Sequence, residues 1–264
     1  MMSEPSLQVE RVDGYLRLTL NRPRQRNALD AVLQAALRDA LEQAAGDPAV
    51  RAVLLRAEGA GFCAGQDLGE GFEFDGRSAE ALTAPIAEGL NPLIEALADA
   101  PFPTVCAVNG VAAGAGFGLA LACDYILAAE DTTFMCAFSR LGIAPDSGVS
   151  FHLPRLLGER RALALAMLDE PISARQAEAW GLVWKVAPCD ALDSEAGALT
   201  ATLARKATKA LTLTKRAMRG AFAHDLREHL MFERRMQMEA VVSEDVREGV
   251  TAFQERRKPL FKGL

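Results

Sequence analysis

An α/β fold is predicted by two patterns in the 264-residue chain. Short runs of strand character alternate with helix-period segments through residue 130, and beyond residue 155 the pattern is almost wholly helical. The composition agrees, since 50% hydrophobic and 24% charged residues are the proportions of a globular chain able to bury one large core.

LQVERVDGYLRLTLN (7–21) reads as two short strands joined at Asp13-Gly14, a dipeptide suited to the tight turn of a hairpin. Over 30–44 the period changes: Leu33, Leu37 and Leu41, with Val32, Ala36 and Ala40, place an apolar stripe on a helix that Asp30 can cap. VRAVLLRA (50–57) returns to strand, and residues 85–99 are helical again. PTVCAVNG (103–110) reads as a buried strand, a helix starts near Gly114, and DYILAAE (124–130) is a further strand. Helical stretches follow over 155–168, 173–181, 194–222 and 225–257. No linker rich in Pro, Gly or Ser divides the chain and no exact repeat occurs. We therefore expect a core domain over residues 1–200 and a helical region over 201–264, in which Phe222, Leu226, Leu230 and Phe253 offer apolar positions for packing on the core or on another subunit.

Several function classes are disfavoured. A net charge of −6 opposes a nucleic-acid partner, which requires a clustered positive surface. The late basic residues Lys206, Lys209, Lys215, Arg216 and Arg219 are spaced through a helix, as a solvated face or an anionic-ligand contact. Five cysteines include no CxxC pair, and their odd number argues for a reducing cytoplasm. The amino terminus lacks the pattern of a signal peptide. Residues 103–123 are uncharged and long enough to span a bilayer, but Pro103, Asn109 and four glycines interrupt an alanine-rich segment that suits close packing within protein, so no membrane partner is expected. Gly114, Gly116 and Gly118 fail the dinucleotide fingerprint, because Leu119 stands at its sixth position. GxxxxGK[ST] and GxSxG are both missing, and the three histidines lack metal-ligand spacing, so no metal is expected. His152 either lines a pocket or simply starts a helix.

The chemistry-bearing feature is VCAVNGVAAGAGFGLALACD (105–124), with GFCAGQDL (61–68) before it and Asp146 after it. Small residues let a ligand approach the main chain, and the N–H groups that open a helix suit a developing negative oxygen. A carboxylate nearby can then move a proton. Enolate chemistry is the implied class. On the residues alone, Asp146 in Pro145-Asp146-Ser147-Gly148 is equally a turn or N-cap residue, and Asp124 is a rival acid.

LNRPRQRNAL (20–29), GFCAGQDL (61–68), AVNGVAAGAGFGLALACD (107–124), FSRLGIAPDSG (138–148), SARQAEAWGLV (173–183) and EGVTAFQERRKPLFKG (248–263) carry a resemblance across nearly the whole chain. It resembles the crotonase, or enoyl-CoA hydratase/isomerase, superfamily. Within it, GFCAGQDL, CAVNGVAAGAG and AFSRLGIAPD are similar to the ring 1,2-epoxyphenylacetyl-CoA isomerases of aerobic phenylacetate degradation. The resemblance implies a spiral of ββα turns ending in helices that build homotrimers or dimers of trimers. It places an oxyanion hole at the backbone N–H groups of Gln66 and Ala115, and the catalytic carboxylate at Asp146. Hydratases of the family use two glutamates, whose positions here are Gly118 and Phe138, neither able to transfer a proton. Asp124 corresponds to a strand-start residue.

By the same resemblance, coenzyme A lies along Arg24, Ala28, Ala64, Gln66, Asp67 and Leu68, with Phe261 and Lys262 contributed in some members by a neighbouring subunit. The coenzyme A thioester is then the substrate and no resident cofactor is implied. Residues 72–85 are expected to line the acyl pocket. The reaction expected is isomerisation of ring 1,2-epoxyphenylacetyl-CoA to the oxepin. Δ3,Δ2-enoyl-CoA isomerisation in fatty acid oxidation and a non-catalytic acyl-CoA-binding role are the alternatives.

Overall fold

The structure is a computed structural model that describes residues 4–69 and 76–264. Asp13-Gly14 joins β1 (Leu7–Val12) to β2 (Tyr15–Leu20) in an antiparallel hairpin with Val12 opposite Tyr15. In α1 (Ala31–Ala45), Asp30 is the N-cap and accepts from the Leu33 N–H at 2.7 Å. Leu33, Leu37, Ala40 and Leu41 are buried. Val32 is exposed, because it stands about 100° around the helix from Leu33 and so leaves the stripe.

β3 (Val53–Ala57) follows. The helix expected over 85–99 begins earlier: α2 (Ala79–Pro85) passes through a wide turn at Ile86–Leu90 into α3 (Asn91–Ala98). Pro85 and Pro92 lack amide donors, and the hydrogen-bond ladder widens between them. Residues 72–75 of the expected acyl-pocket segment lie outside the described residues.

The glycine-rich run becomes β4 (Thr104–Val108), β5 (Val111–Ala113) and α4 (Ala115–Ala122). β6 (Tyr125–Ala129), β7 (Thr133–Met135) and α5 (Val149–Leu157) repeat the same order. α6 (Glu159–Leu168) is a separate helix, since Gly158 interrupts the stretch that periodicity joined. Then come β8 (Ile172–Ser173), α7 (Ala174–Ala179) and β9 (Lys185–Ala187). The chain ends in α8 (Leu192–Ala204), α9 (Thr208–Gly220), α10 (Leu226–Ala240) and α11 (Glu244–Gln254).

The main sheet has the order β1-β2-β3-β4-β6-β9 and is parallel after its first hairpin, while β5, β7 and β8 form a second, small sheet. A main-sheet strand, a small-sheet strand and a helix succeed one another in β4-β5-α4 and in β6-β7-α5, which is the ββα spiral. Alternation along the strands serves two layers. Val53, Leu55 and Cys106 face Leu33, Leu37, Leu93 and Leu119 on one side, whereas Leu54, Val105 and Leu127 face Leu192, Ala196 and Leu203 of α8 on the other. α8 thus crosses residue 200 with its inner face on the sheet. Phe222, Leu226, Leu230 and Phe253 are each more than half exposed, so the core of this chain does not cover them. Among the described residues no helix is long and apolar enough to cross a membrane.

Candidate active site

The loop GFCAGQ runs beside β5. Phe62 N–H donates to Asn109 O at 2.7 Å, Cys63 N–H to Val111 O at 3.1 Å, and Ala113 N–H returns to Cys63 O at 3.0 Å. This pairing presses the loop against the start of α4. A Cβ on Gly65, whose φ is +102°, would lie 3.1 Å from Ala113 O and 3.5 Å from Ala115 N. On Gly116 a Cβ would fall 2.4 Å from Cys63 O, so contact with backbone excludes a side chain there, while at Gly65 the positive φ together with the tight contact selects glycine.

Ala115 opens α4, and its N–H therefore has no acceptor within the helix. On the other loop, Leu29 N–H donates to Gly65 O at 2.8 Å and Asp67 N–H donates to Leu29 O at 3.1 Å. Those bonds bracket Gln66, and in such a parallel bridge the middle N–H points to the opposite side of the strand. Two amides without a bond in the ladder thus come from two adjoining loops, as an oxyanion hole requires.

Arg24, Ala28, Ala64, Gln66, Asp67 and Leu68 are brought together by the same pairing, since Ala64 N–H also donates to Arg26 O at 3.0 Å. Arg24, Ala64 and Leu68 are exposed. Asp67 is engaged otherwise: Arg22 holds its carboxylate at 3.1 Å and Asp30 at 3.0 Å, which ties the two segments together. Asn27 completes the tie from a fully buried position, its amide donating to Glu58 O and Gly61 O, both at 2.9 Å. Arg22 and Asn27 were missed by sequence reasoning although both lie in LNRPRQRNAL, because neither bears on proton transfer. Phe261 and Lys262 are not brought to this place within one chain. Phe261 O accepts from Arg51 at 2.9 Å, just before β3, whereas the Gln66 loop follows the far end of that strand.

Asp146 lies half-buried ahead of α5. Ser147 Oγ donates to its Oδ1 at 2.7 Å, and burial, only partly opposed by that bond, raises its pKa above the usual carboxylate range. Phe138 is buried, and Gly118 abuts Ser147.

Asp124 has a different environment. Its Oδ2 accepts from Thr104 N–H at 2.8 Å and Thr104 Oγ at 3.0 Å and faces Lys215 Nζ at 2.8 Å, while Arg219 holds Oδ1 at 3.0 Å. Lys215 is therefore turned inward to the core, whereas Arg219 stays exposed and reaches Asp124 from the surface. His152, inside α5, lines a cavity of about 920 Å3 with Ile94, Phe151, Trp184 and Met218. Burial first, then Arg219 and Arg155, pushes its pKa down to about 4, so it is neutral at physiological pH. The cavity reaches Leu121 and Cys123 at the end of α4, whereas Ala115 opens the same helix. Gln66, Ala115 and Asp146 do not line it.

Residues 10–264 match the family described as enoyl-CoA hydratase/isomerase. The chain is 42% identical over 250 residues, 95% of each sequence, to the 1,2-epoxyphenylacetyl-CoA isomerase of Escherichia coli (strain K12). It is 37% identical over 262 residues to the 2,3-dehydroadipyl-CoA hydratase of the same strain, covering 99% of this chain and 100% of that one. Among solved structures, an enoyl-CoA hydratase from Polaromonas sp. JS666 superposes with a TM-score of 0.90 at 36% identity, over 97% of this chain and 99% of that one. The chain is an enzyme of the enoyl-CoA hydratase/isomerase family.

Proposed function

We propose that the protein is an acyl-CoA isomerase that shifts a double bond through a thioester enolate, with ring 1,2-epoxyphenylacetyl-CoA as substrate and the oxepin as product. The thioester oxygen lies between the N–H groups of Gln66 and Ala115. The Asp146 carboxylate takes the acidic proton next to the thioester carbonyl, the C–H pair delocalises onto that oxygen, and the same carboxylate returns the proton farther along. With the ring epoxide, this shift accompanies opening to the seven-membered ring.

One observation carries this reading: the positions at which hydratases hold their two acids are Gly118 and Phe138, and the carboxylate left beside them, Asp146, has a raised pKa. A raised pKa brings the proton affinity of the acid closer to that of the enolate. The 42% identity to an isomerase of that substrate supports the choice of acyl group, while the hydratase relatives make the comparison with hydration necessary.

The test offers the purified protein ring 1,2-epoxyphenylacetyl-CoA and 3-hexenoyl-CoA side by side, following the new conjugated chromophore, with crotonyl-CoA hydration as control. Faster turnover of the epoxide is expected. Preference for 3-hexenoyl-CoA moves the assignment to Δ3,Δ2-enoyl-CoA isomerisation, crotonyl-CoA hydration at a comparable rate overturns the isomerase reading, and turnover of none of the three favours a binding protein.

The assembly belongs to this proposal: a homotrimer or a dimer of trimers covers Phe222, Leu226, Leu230 and Phe253 and carries Phe261 and Lys262 to the coenzyme A of a neighbouring subunit. Residues Ala79–Pro85 border the acyl group. A resident cofactor or metal plays no part in the proposed reaction. Five free thiols suit a reducing, cytoplasmic setting.

A further inference from the structure

The place of the absent hydratase glutamate on α4 is filled. A Cβ built on Gly118 would fall 2.3 Å from Ser147 O and 2.7 Å from Ser147 Cβ, well inside any permissible contact. Ser147 is only 1% exposed and has a φ of +51°, a left-handed conformation that a non-glycine residue adopts at some cost unless its surroundings impose it. Gly118 makes room for this close approach, since any side chain there would collide with the main chain of Ser147. The consequence falls on the next residue: the hydroxyl of Ser147 reaches Asp146 Oδ1 at 2.7 Å.

Resting on the isomerase reading, we propose that Ser147 is the positioning residue of the proton-transfer carboxylate and that Gly118 is its seat. The bond fixes Oδ1, which leaves Oδ2 to form the O–H bond as the substrate C–H bond breaks and to release that proton at the second carbon. The hydroxyl donates to Oδ1 in both charge states, so the carboxyl keeps one orientation between removal and return. A hydrogen bond of this kind favours the ionised acid and opposes the effect of burial, which holds the pKa within range of the operating pH. The glycine that excludes a hydratase acid from α4 is thus also the one that aims the isomerase acid.

Ser147→Gly is the central test, because glycine accepts the left-handed backbone and only the hydroxymethyl group is lost. We expect kcat to fall about ten- to a hundredfold, the worth of a hydrogen bond to a charged group, with KM unchanged because the coenzyme A segments are untouched. The acid limb of the kcat profile should move to higher pH, which a merely structural role would not cause. Gly118→Ala should lower kcat by displacing Ser147, again with KM held. A Ser147→Gly enzyme with wild-type kcat and an unmoved acid limb overturns the proposal while leaving the isomerase reading intact. Asp146→Asn, run alongside, separates the two: substantial activity in that variant overturns the assignment of Asp146 itself.

Discussion

The residues just after α4 and the segment just before α5 each hold an aspartate, and the two have opposite surroundings. Asp124 meets two cations, a hydroxyl and a backbone amide, and both of its oxygens are occupied. Its charge is matched in place by Lys215 and Arg219. Asp146 meets one hydroxyl and mostly buried surroundings, with its pKa raised. The residue type is the same, so only the environment separates a staple from the proposed proton carrier.

The largest expected effect is at Asp146. Asp146→Asn should lower isomerase kcat by about 10²–10⁴-fold, the usual worth of a positioned general base. Since partial burial raises the pKa of this carboxylate, its ionised form opposes folding at neutral pH, and the neutral amide should raise Tm. Loss of activity with lower stability would contradict the environment described. Gly65→Ala comes next: its Cβ would press on Ala113 O, and the φ of +102° suits glycine alone. Displacing one oxyanion donor should reduce kcat about 10²–10³-fold with KM for the thioester little changed, as read in steady-state kinetics.

These predictions also separate what the chain states from what it leaves out. The glycine-rich runs were read as places where a ligand can approach the main chain, and the structure adds a second reason for Gly65, Gly116 and Gly118, the close approach of Ala113 O, Cys63 O and Ser147 O. The Asp30 cap and the Asp13-Gly14 turn were equally legible, because each acts within a few residues of itself. The bond of Ser147 to Asp146 was not, since a serine in a turn has many local partners and the close approach that Gly118 permits comes from another element. The inward turn of Lys215 and the pairing of Arg219 with Asp124 were likewise hidden, because helical spacing reports a face but not what that face meets. Periodicity joined α5 to α6 for a related reason: the stripe continues across a glycine that breaks the backbone.

At Asp124 the comparison predicts a change in stability in place of a change in rate. Asp124→Asn leaves the Lys215 ammonium, 9% exposed, with neutral acceptors alone, the new amide oxygen and the Ala100 and Phe102 carbonyls, and without the carboxylate that balanced its charge. Removing one member of such a pair typically costs about 3 kcal/mol, or roughly 6 °C in Tm for a chain of this size. Per folded molecule kcat should be unchanged. A loss of kcat at wild-type stability would make Asp124 more than a staple.

The smallest effect links the two regions, because Arg219, paired with Asp124, also faces His152 one turn beyond Gly148. The folded pKa of His152 is depressed to about 4 from its ordinary 6.5, so between those values the unfolded chain binds a proton that the folded chain refuses. That contribution to stability is complete above pH 6.5 and is lost as pH falls toward about 4. Asp146 acts with the opposite sign: its raised pKa means that the folded chain holds the extra proton, and stability falls as pH rises through its titration. His152→Gln should therefore shrink the Tm decrease between pH 7 and pH 5 by about a few degrees, whereas Asp146→Asn removes a slope of the opposite sign and should not shrink it. Equal profiles for the two variants would show that the two regions do not titrate independently, and the contrast between their environments would then have to be redrawn around Arg219.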